Sequence, residues 1–115
     1  METNILLQHI LPKEMTEYFE ITGIKEEGNQ LIISLDEKNI QSSELAEKPI
    51  ESKGFFDPIR IIDFPIRGKP VTLEIRKRKW RDKLTGENYS KKWELTAKGT
   101  SYTKEFAAFL KVLVR

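Results

Sequence analysis

The chain contains no cysteine and a single histidine, His9. The first absence removes disulfide frameworks, thiol nucleophiles and every cysteine-based zinc site. The second leaves no histidine pair for a metal and no serine–histidine relay. No apolar run approaches the ~18 residues of a membrane-spanning helix. The amino terminus lacks the basic-then-apolar order of a signal peptide, so a cytoplasmic location is expected. Glycine-rich phosphate cradles are missing too, since Gly68 and Gly86 read as turn residues. What remains is a chain of 115 residues, enough for one domain. It is 38% hydrophobic and 33% charged, against about 25% charged in typical globular domains. Six Phe, three Tyr and two Trp supply core volume.

The net charge of +2 conceals an asymmetry. Residues 1–59 hold 5 Lys against 12 acids, a net −7, whereas residues 60–115 hold 15 Lys and Arg against 6 acids, a net +9. Every arginine lies in the second part. Such a contrast suggests a polyanion-binding half. The plain alternative is that the two halves neutralise each other across one fold. Local bunching of the arginines favours the first.

Thr3 or Asn4 is placed to cap a short helix carrying Ile5, Leu6, Leu7, Ile10 and Leu11, with Pro12 as its stop. Tyr18 to Lys25 and Gln30 to Asp36 read as paired strands about a Gly28-Asn29 turn. Leu31, Ile33 and Leu35 share one face of the second strand; Ile32 and Ser34 take the other. From Glu37 to Lys53 the pattern lapses into polar residues, as a linker does. Ile59 to Phe64 is a further strand, ended by Pro65 and followed by a turn over Ile66-Arg67-Gly68-Lys69-Pro70. Val71 to Trp80 is the clearest strand, with Val71, Leu73 and Ile75 on one face. Beyond Ile75 that face turns to Lys77 and Lys79, which predicts that the strand leaves the core for solvent. A loop over Asp82 to Glu87 returns the chain through Tyr89 to Thr96. Thr103 is placed to cap a final helix whose stripe is Phe106, Phe109, Leu110, Leu113 and Val114. The stripe runs unbroken to Arg115, as it would in a piece of a longer product or a helix that packs on a partner. The expected organisation is an acidic helix and hairpin over 1–40, a linker over 41–57, and a basic β-unit with its helix over 58–115. Together they form one compact domain.

Six of the eight residues in Arg76-Lys77-Arg78-Lys79-Trp80-Arg81-Asp82-Lys83 are basic. Alternation sends Arg76 and Arg78 to one face and Lys77 and Lys79 to the other. A projecting two-stranded ribbon of this kind suits a nucleic-acid groove or backbone. Lys91 and Lys92 on the returning segment enlarge the patch. Arginine offers bidentate contacts and lysine a point charge. A solubilising hairpin tip is the plain alternative; the neighbouring Trp80, Tyr89 and Trp93 favour nucleic acid. Trp93 is expected in the core, while Trp80, set among charges, is as well placed to stack a base as to pack. Asp63 with Glu74-Ile75-Arg76 loosely echoes a metal-dependent nuclease, but Arg is a poor substitute for Lys there because it cannot be deprotonated. Glu74 is expected opposite a basic side chain in a sheet. His9 reads as a surface or packing residue.

The stretch Ile62-Asp63-Phe64-Pro65-Ile66-Arg67-Gly68-Lys69-Pro70-Val71, the run Arg76-Lys77-Arg78-Lys79-Trp80, and Lys98-Gly99-Thr100 with Thr103-Lys104-Glu105-Phe106 together resemble the N-terminal region of bacterial insertion-sequence transposases. In that family a zinc ribbon precedes a helix-turn-helix and a catalytic domain with a carboxylate triad. The resemblance to the general family covers about residues 53–110. To a zinc-less branch, often encoded as a separate short reading frame, it extends over nearly the whole chain, including Tyr18-Phe19-Glu20-Ile21-Thr22-Gly23 and Ser52-Lys53-Gly54-Phe55-Phe56. The family's downstream cysteine pair would fall near Trp80 and Lys83 and the upstream pair before Ile59; this chain has neither. The resemblance implies that aromatic packing by Phe55, Phe56, Trp80 and Trp93 replaces the metal. It also implies that the triad lies outside this chain, which is then not an enzyme.

The expected fold is therefore α+β, with a short N-terminal helix, antiparallel hairpins forming a zinc-ribbon-like unit without metal, and a C-terminal amphipathic helix. The expected function is DNA binding at transposon ends, with no cofactor and no membrane. The candidate phosphate contacts are Arg67, Lys69, Arg76, Lys77, Arg78, Lys79, Arg81, Lys83, Lys91 and Lys92, with Trp80 for stacking. A second expectation makes Phe106, Phe109, Leu110, Leu113 and Val114 a docking stripe for a catalytic transposase subunit or a homodimer. A small nuclease is a distant third.

Overall fold

The computed structural model describes residues 2–40 and 49–113. The first helix, α1 (Glu2–Ile10), takes Thr3 and Asn4 into its own turns rather than leaving them ahead of it as caps. Pro12 does not simply stop the chain. Its carbonyl accepts from Met15 N (3.0 Å) and Thr16 N (3.3 Å), and it opens a second helix, α2 (Lys13–Tyr18). Only Met15 of these six residues is buried. A single turn with one core residue has no apolar periodicity, which is why sequence patterning passes over it.

Next come β1 (Phe19–Glu27) and β2 (Gln30–Glu37), an antiparallel hairpin whose last pair is Glu27 with Gln30. Gly28 takes the positive φ, 63°, that the two-residue turn requires. Then follow β3 (Ile50–Phe55), β4 (Ile59–Ile66), β5 (Lys69–Arg76), β6 (Arg78–Asp82), β7 (Asn88–Tyr89) and α3 (Lys104–Leu113). The fold is α+β, but its hairpins do not form a purely antiparallel set. The first sheet has the order β1-β2-β5-β4, and β2 runs parallel to β5 from Leu31–Val71 to Asp36–Arg76. Alternation sends Ile32 and Ile33 to opposite faces of β2, and both are fully buried. The acidic and basic halves thus share one sheet.

The second sheet is β3-β6-β7. Its strand β3 lies inside the predicted linker, whose residues 41–48 fall outside the described residues. The strand predicted from Val71 to Trp80 is in fact two, broken at Lys77, and its second part enters this sheet instead of solvent. The predicted return from Tyr89 to Thr96 shrinks to the two residues of β7, because Lys91 and Trp93 turn inward to Glu37. Pro65 does not end β4. It sits on a sheet edge at a bulge between Asp63 and Ile66, where no ladder donor is needed.

The main core joins Leu7, Leu11, Met15 and Phe19 to Ile33, Leu35, Ile61, Val71, Leu73, Ile75 and Leu95. At the outer edge of β4, Ile62 N donates to Ser101 O (2.7 Å) and Thr103 N to Ile62 O (2.9 Å). Thr103 therefore leads into α3 with its carbonyl accepting from Ala107 N, while its hydroxyl, expected as a cap, donates to buried Asp63 Oδ1 at 2.8 Å. Phe106 and Phe109 pack on Phe64, with ring centroids 5.0 and 5.4 Å apart. Among the described residues no helix is long and apolar enough to cross a membrane.

Candidate nucleic-acid interface

Glu37 is the last residue of β2 and is only 1% exposed. Period-two alternation puts it on the face of Ile33 and Leu35, so a carboxylate follows two core aliphatics into the interior. Four donors meet it. Trp80 Nε1 donates to Oε2 at 3.2 Å, and Trp93 Nε1 to Oε1 at 3.1 Å. Arg78 N donates to Oε1 at 3.0 Å, and Lys91 Nζ lies 3.8 Å from Oε2. Lys91 also donates to the Ile40 carbonyl and sits 5.0 Å from the Trp80 ring centre. A buried carboxylate is tolerable only when it is this fully engaged. Sequence patterning singled out neither Glu37 nor its role; the available signal was an acid at the next core-facing position after Ile33 and Leu35.

This network sorts the predicted cations. Arg78 Nη1 donates to Ser52 Oγ (2.7 Å) and its Nε to the Glu37 carbonyl (3.1 Å). Arg76 makes a two-pronged pair with Asp36, its ladder partner, at 2.7 and 2.6 Å. Hydrogen bonding to Asp36 raises the Arg76 pKa above its ordinary value, against an opposing effect of desolvation. Both guanidinium groups lie over the Phe55 ring, that of Arg76 4.3 Å and that of Arg78 4.7 Å from its centre. Lys69 pairs with Glu26. Lys69, Arg76 and Lys91 are thus paired with carboxylates of the acidic half, as the plain reading of the charge contrast would have it, while the Arg78 guanidinium is held by two neutral acceptors, Ser52 Oγ and the Glu37 carbonyl.

Arg67 and Lys69 also lie apart from the rest. Arg67 lies within the β4–β5 turn and Lys69 directly after it, and the seven residue steps from Lys69 to Arg76 span about 23 Å. Trp80 is 1% exposed, which closes its ring to base stacking. Tyr18 and Phe19 pack on Trp93, with centroids 5.3 and 5.1 Å away. The expected four-ring cluster does not form: Trp80 and Trp93 converge on Glu37, while Phe55 faces guanidiniums and Phe56 the Lys79 ammonium, 5.2 Å off.

Lys77, Lys79, Arg81, Lys83 and Lys92 remain. Among the described residues none of the five has an acid within ion-pair distance; Glu51, the ladder partner of Arg81, pairs with Lys53 instead at 3.9 Å. Arg78 and Trp80 take the inner face of β6, so Lys79 and Arg81 take the outer one. Arg81, Lys83 and Lys92 are exposed, and Lys77 and Lys79 are half-buried.

The nuclease-like carboxylates do not meet. Asp63 is on the core face, paired with Val71, whereas Glu74 is on the opposite face, bound to Arg60 at 3.2 and 3.0 Å as its cross-strand position predicts. Of the predicted docking stripe, Phe106 and Leu110 are half-buried; Phe109 and Leu113 are exposed, and Val114 lies outside the described residues. Comparison with known proteins finds no family model, no curated protein and no solved structure that matches this chain.

Proposed function

We propose that this chain is a DNA-binding module that grips the phosphate backbone through Lys77, Lys79, Arg81, Lys83 and Lys92. The observation that carries the reading is the sorting along β6, which engages Arg78 and Trp80 internally and leaves Lys79 and Arg81 outward without acidic partners. Phosphate is the matching ligand chemistry, since the patch is mostly lysine and both tryptophans are turned inward. The sequence resemblance supplies the context of an insertion-sequence transposase and its element ends. In that reading the β3-β6-β7 sheet is the counterpart of the family's ribbon. The Glu37 carboxylate then ties strands that cysteine ligands join elsewhere in the family.

The test is a salt titration of a labelled duplex by fluorescence anisotropy. The triple variant Lys77→Glu, Lys79→Glu, Arg81→Glu should bind at least tenfold more weakly at low salt. Its log-affinity against log-salt slope should fall by about 3, close to one for each lost phosphate contact. Its far-UV circular dichroism should match the parent. Equal affinity of variant and parent would refute the interface. Duplex carrying the element's terminal repeat, set against random duplex, separates sequence reading from charge attraction.

A second reading is docking of α3 on a catalytic transposase subunit or on a second copy. It is supported by Phe109, 46% exposed, beside exposed Val112 and Leu113. Concentration-dependent sedimentation that Phe109→Ser with Leu113→Ser abolishes would favour it; monomers at all concentrations would exclude self-association.

A further inference from the structure

The loop joining β6 to β7 is ordered by its own hydrogen bonds, from side chains as well as backbone. Asp82 Oδ1 accepts from Leu84 N (2.8 Å) and Thr85 N (3.2 Å), and Thr85 Oγ1 accepts from Glu87 N (3.2 Å). Asp82 N donates to Glu87 O at 2.9 Å and Gly86 N to Asp82 O at 2.8 Å. Gly86 takes φ 78°, closing the turn in a conformation that a side chain would strain. This ordering holds out Leu84, which is 82% exposed. A lone exposed leucine on a surface is ordinary. This one differs in its setting, in the pre-ordered β6–β7 loop directly after Lys83 and three residues beyond Arg81. The Arg81 guanidinium lies along the loop, 3.7 Å from where a Cβ on Gly86 would stand. Over residues 76–92 eight cations face two acids, Asp82 and Glu87. The Asp82 carboxylate is occupied by loop amides, and Glu87 lies 3.4 Å from the Tyr89 hydroxyl.

We propose that Leu84 is a wedge, which the basic ribbon inserts between neighbouring base pairs from the minor groove to kink duplex DNA; this rests on the DNA-binding reading above. Apolar side chains on basic minor-groove elements unstack a step and bend the duplex toward the major groove. The parts needed are present: an apolar tip held rigidly, with Lys83 next to it and the Arg81 guanidinium reaching along the loop toward Gly86 to meet neighbouring phosphates. Pre-ordering matters because a floppy tip would lose entropy on insertion that the rigid loop has already given up.

The experiment uses the full chain with a duplex of about 30 base pairs carrying an end-to-end fluorophore pair, and anisotropy as a separate measure of binding. A 2-aminopurine within the duplex reports unstacking. Parent protein should bring the ends together and brighten the 2-aminopurine. Leu84→Ala should keep the circular dichroism spectrum and the salt slope, lose more than half of both signals, and bind about fivefold more weakly, the size of one lost apolar contact. Leu84→Phe should restore bending. Three results would overturn the wedge: binding by the parent without bending, equal bending by Leu84→Ala, or loss of self-association in Leu84→Ala with DNA behaviour unchanged. Absence of any binding by the parent would refute the underlying DNA reading instead, and is told apart by the anisotropy.

Discussion

Replacing Glu37 by alanine is the most demanding test of how the two sheets are joined. The change removes the acceptor of two indole N–H groups and of Arg78 N, and strips Lys91 of its nearest carboxylate. Each buried donor left unmatched costs about 1–3 kcal/mol. Three of them would sum to several times that if nothing relaxed; water entering the new space and movement of Lys91 toward solvent hold the loss to about 3–5 kcal/mol, as when a buried ion pair loses one partner. That is a large part of the roughly 5–15 kcal/mol that holds a domain together. Glu37→Gln sharpens the test. Its amide oxygen can keep Trp93 and Arg78 N, but its NH₂ then faces Trp80 Nε1 and Lys91, donor against donor, and the loss should be about 2–3 kcal/mol. Urea unfolding is the assay, followed by tryptophan fluorescence, because the chain's two tryptophans both donate to this carboxylate. The midpoint for Glu37→Ala should fall by more than about 1 M. A loss below about 1 kcal/mol, the size of one ordinary hydrogen bond, would show that the carboxylate does not hold the sheets together.

Arg67 holds φ 53° at the first central position of the β4–β5 turn, with Gly68 at 78° after it. Asparagine fits that position better, so Arg67→Asn should raise stability by about 0.5–1 kcal/mol in the same urea assay. Thr103→Val removes the hydroxyl from buried Asp63 and should cost about 1.5–3 kcal/mol by thermal or urea unfolding, with α3 becoming more sensitive to limited proteolysis. Arg76→Glu sets like charges opposite each other at Asp36. At this partly exposed pair the loss should be about 1 kcal/mol of stability, recovered by Asp36→Arg in the same chain; a DNA effect without a stability effect would contradict the pairing.

The apolar alternation of Val71, Leu73 and Ile75 was legible from the chain alone, and so were the Gly28-Asn29 turn, the Glu74 pairing and the amphipathic final helix. Each depends on neighbours a few residues apart, or on a period of two or 3.6 that backbone geometry imposes wherever the segment lies. The contrast between a −7 and a +9 half was legible too, but its meaning was not. Whether Arg76 meets Asp36 or a phosphate depends on β2 lying parallel to β5, a pairing between residues 40 apart that no local pattern encodes. The same long-range choice sends Trp80 into the interior and brings four donors to Glu37 from β6 and the segment that follows β7. Charge counts add along a chain, whereas neutralisation depends on distance in space, and only the packed sheets set those distances.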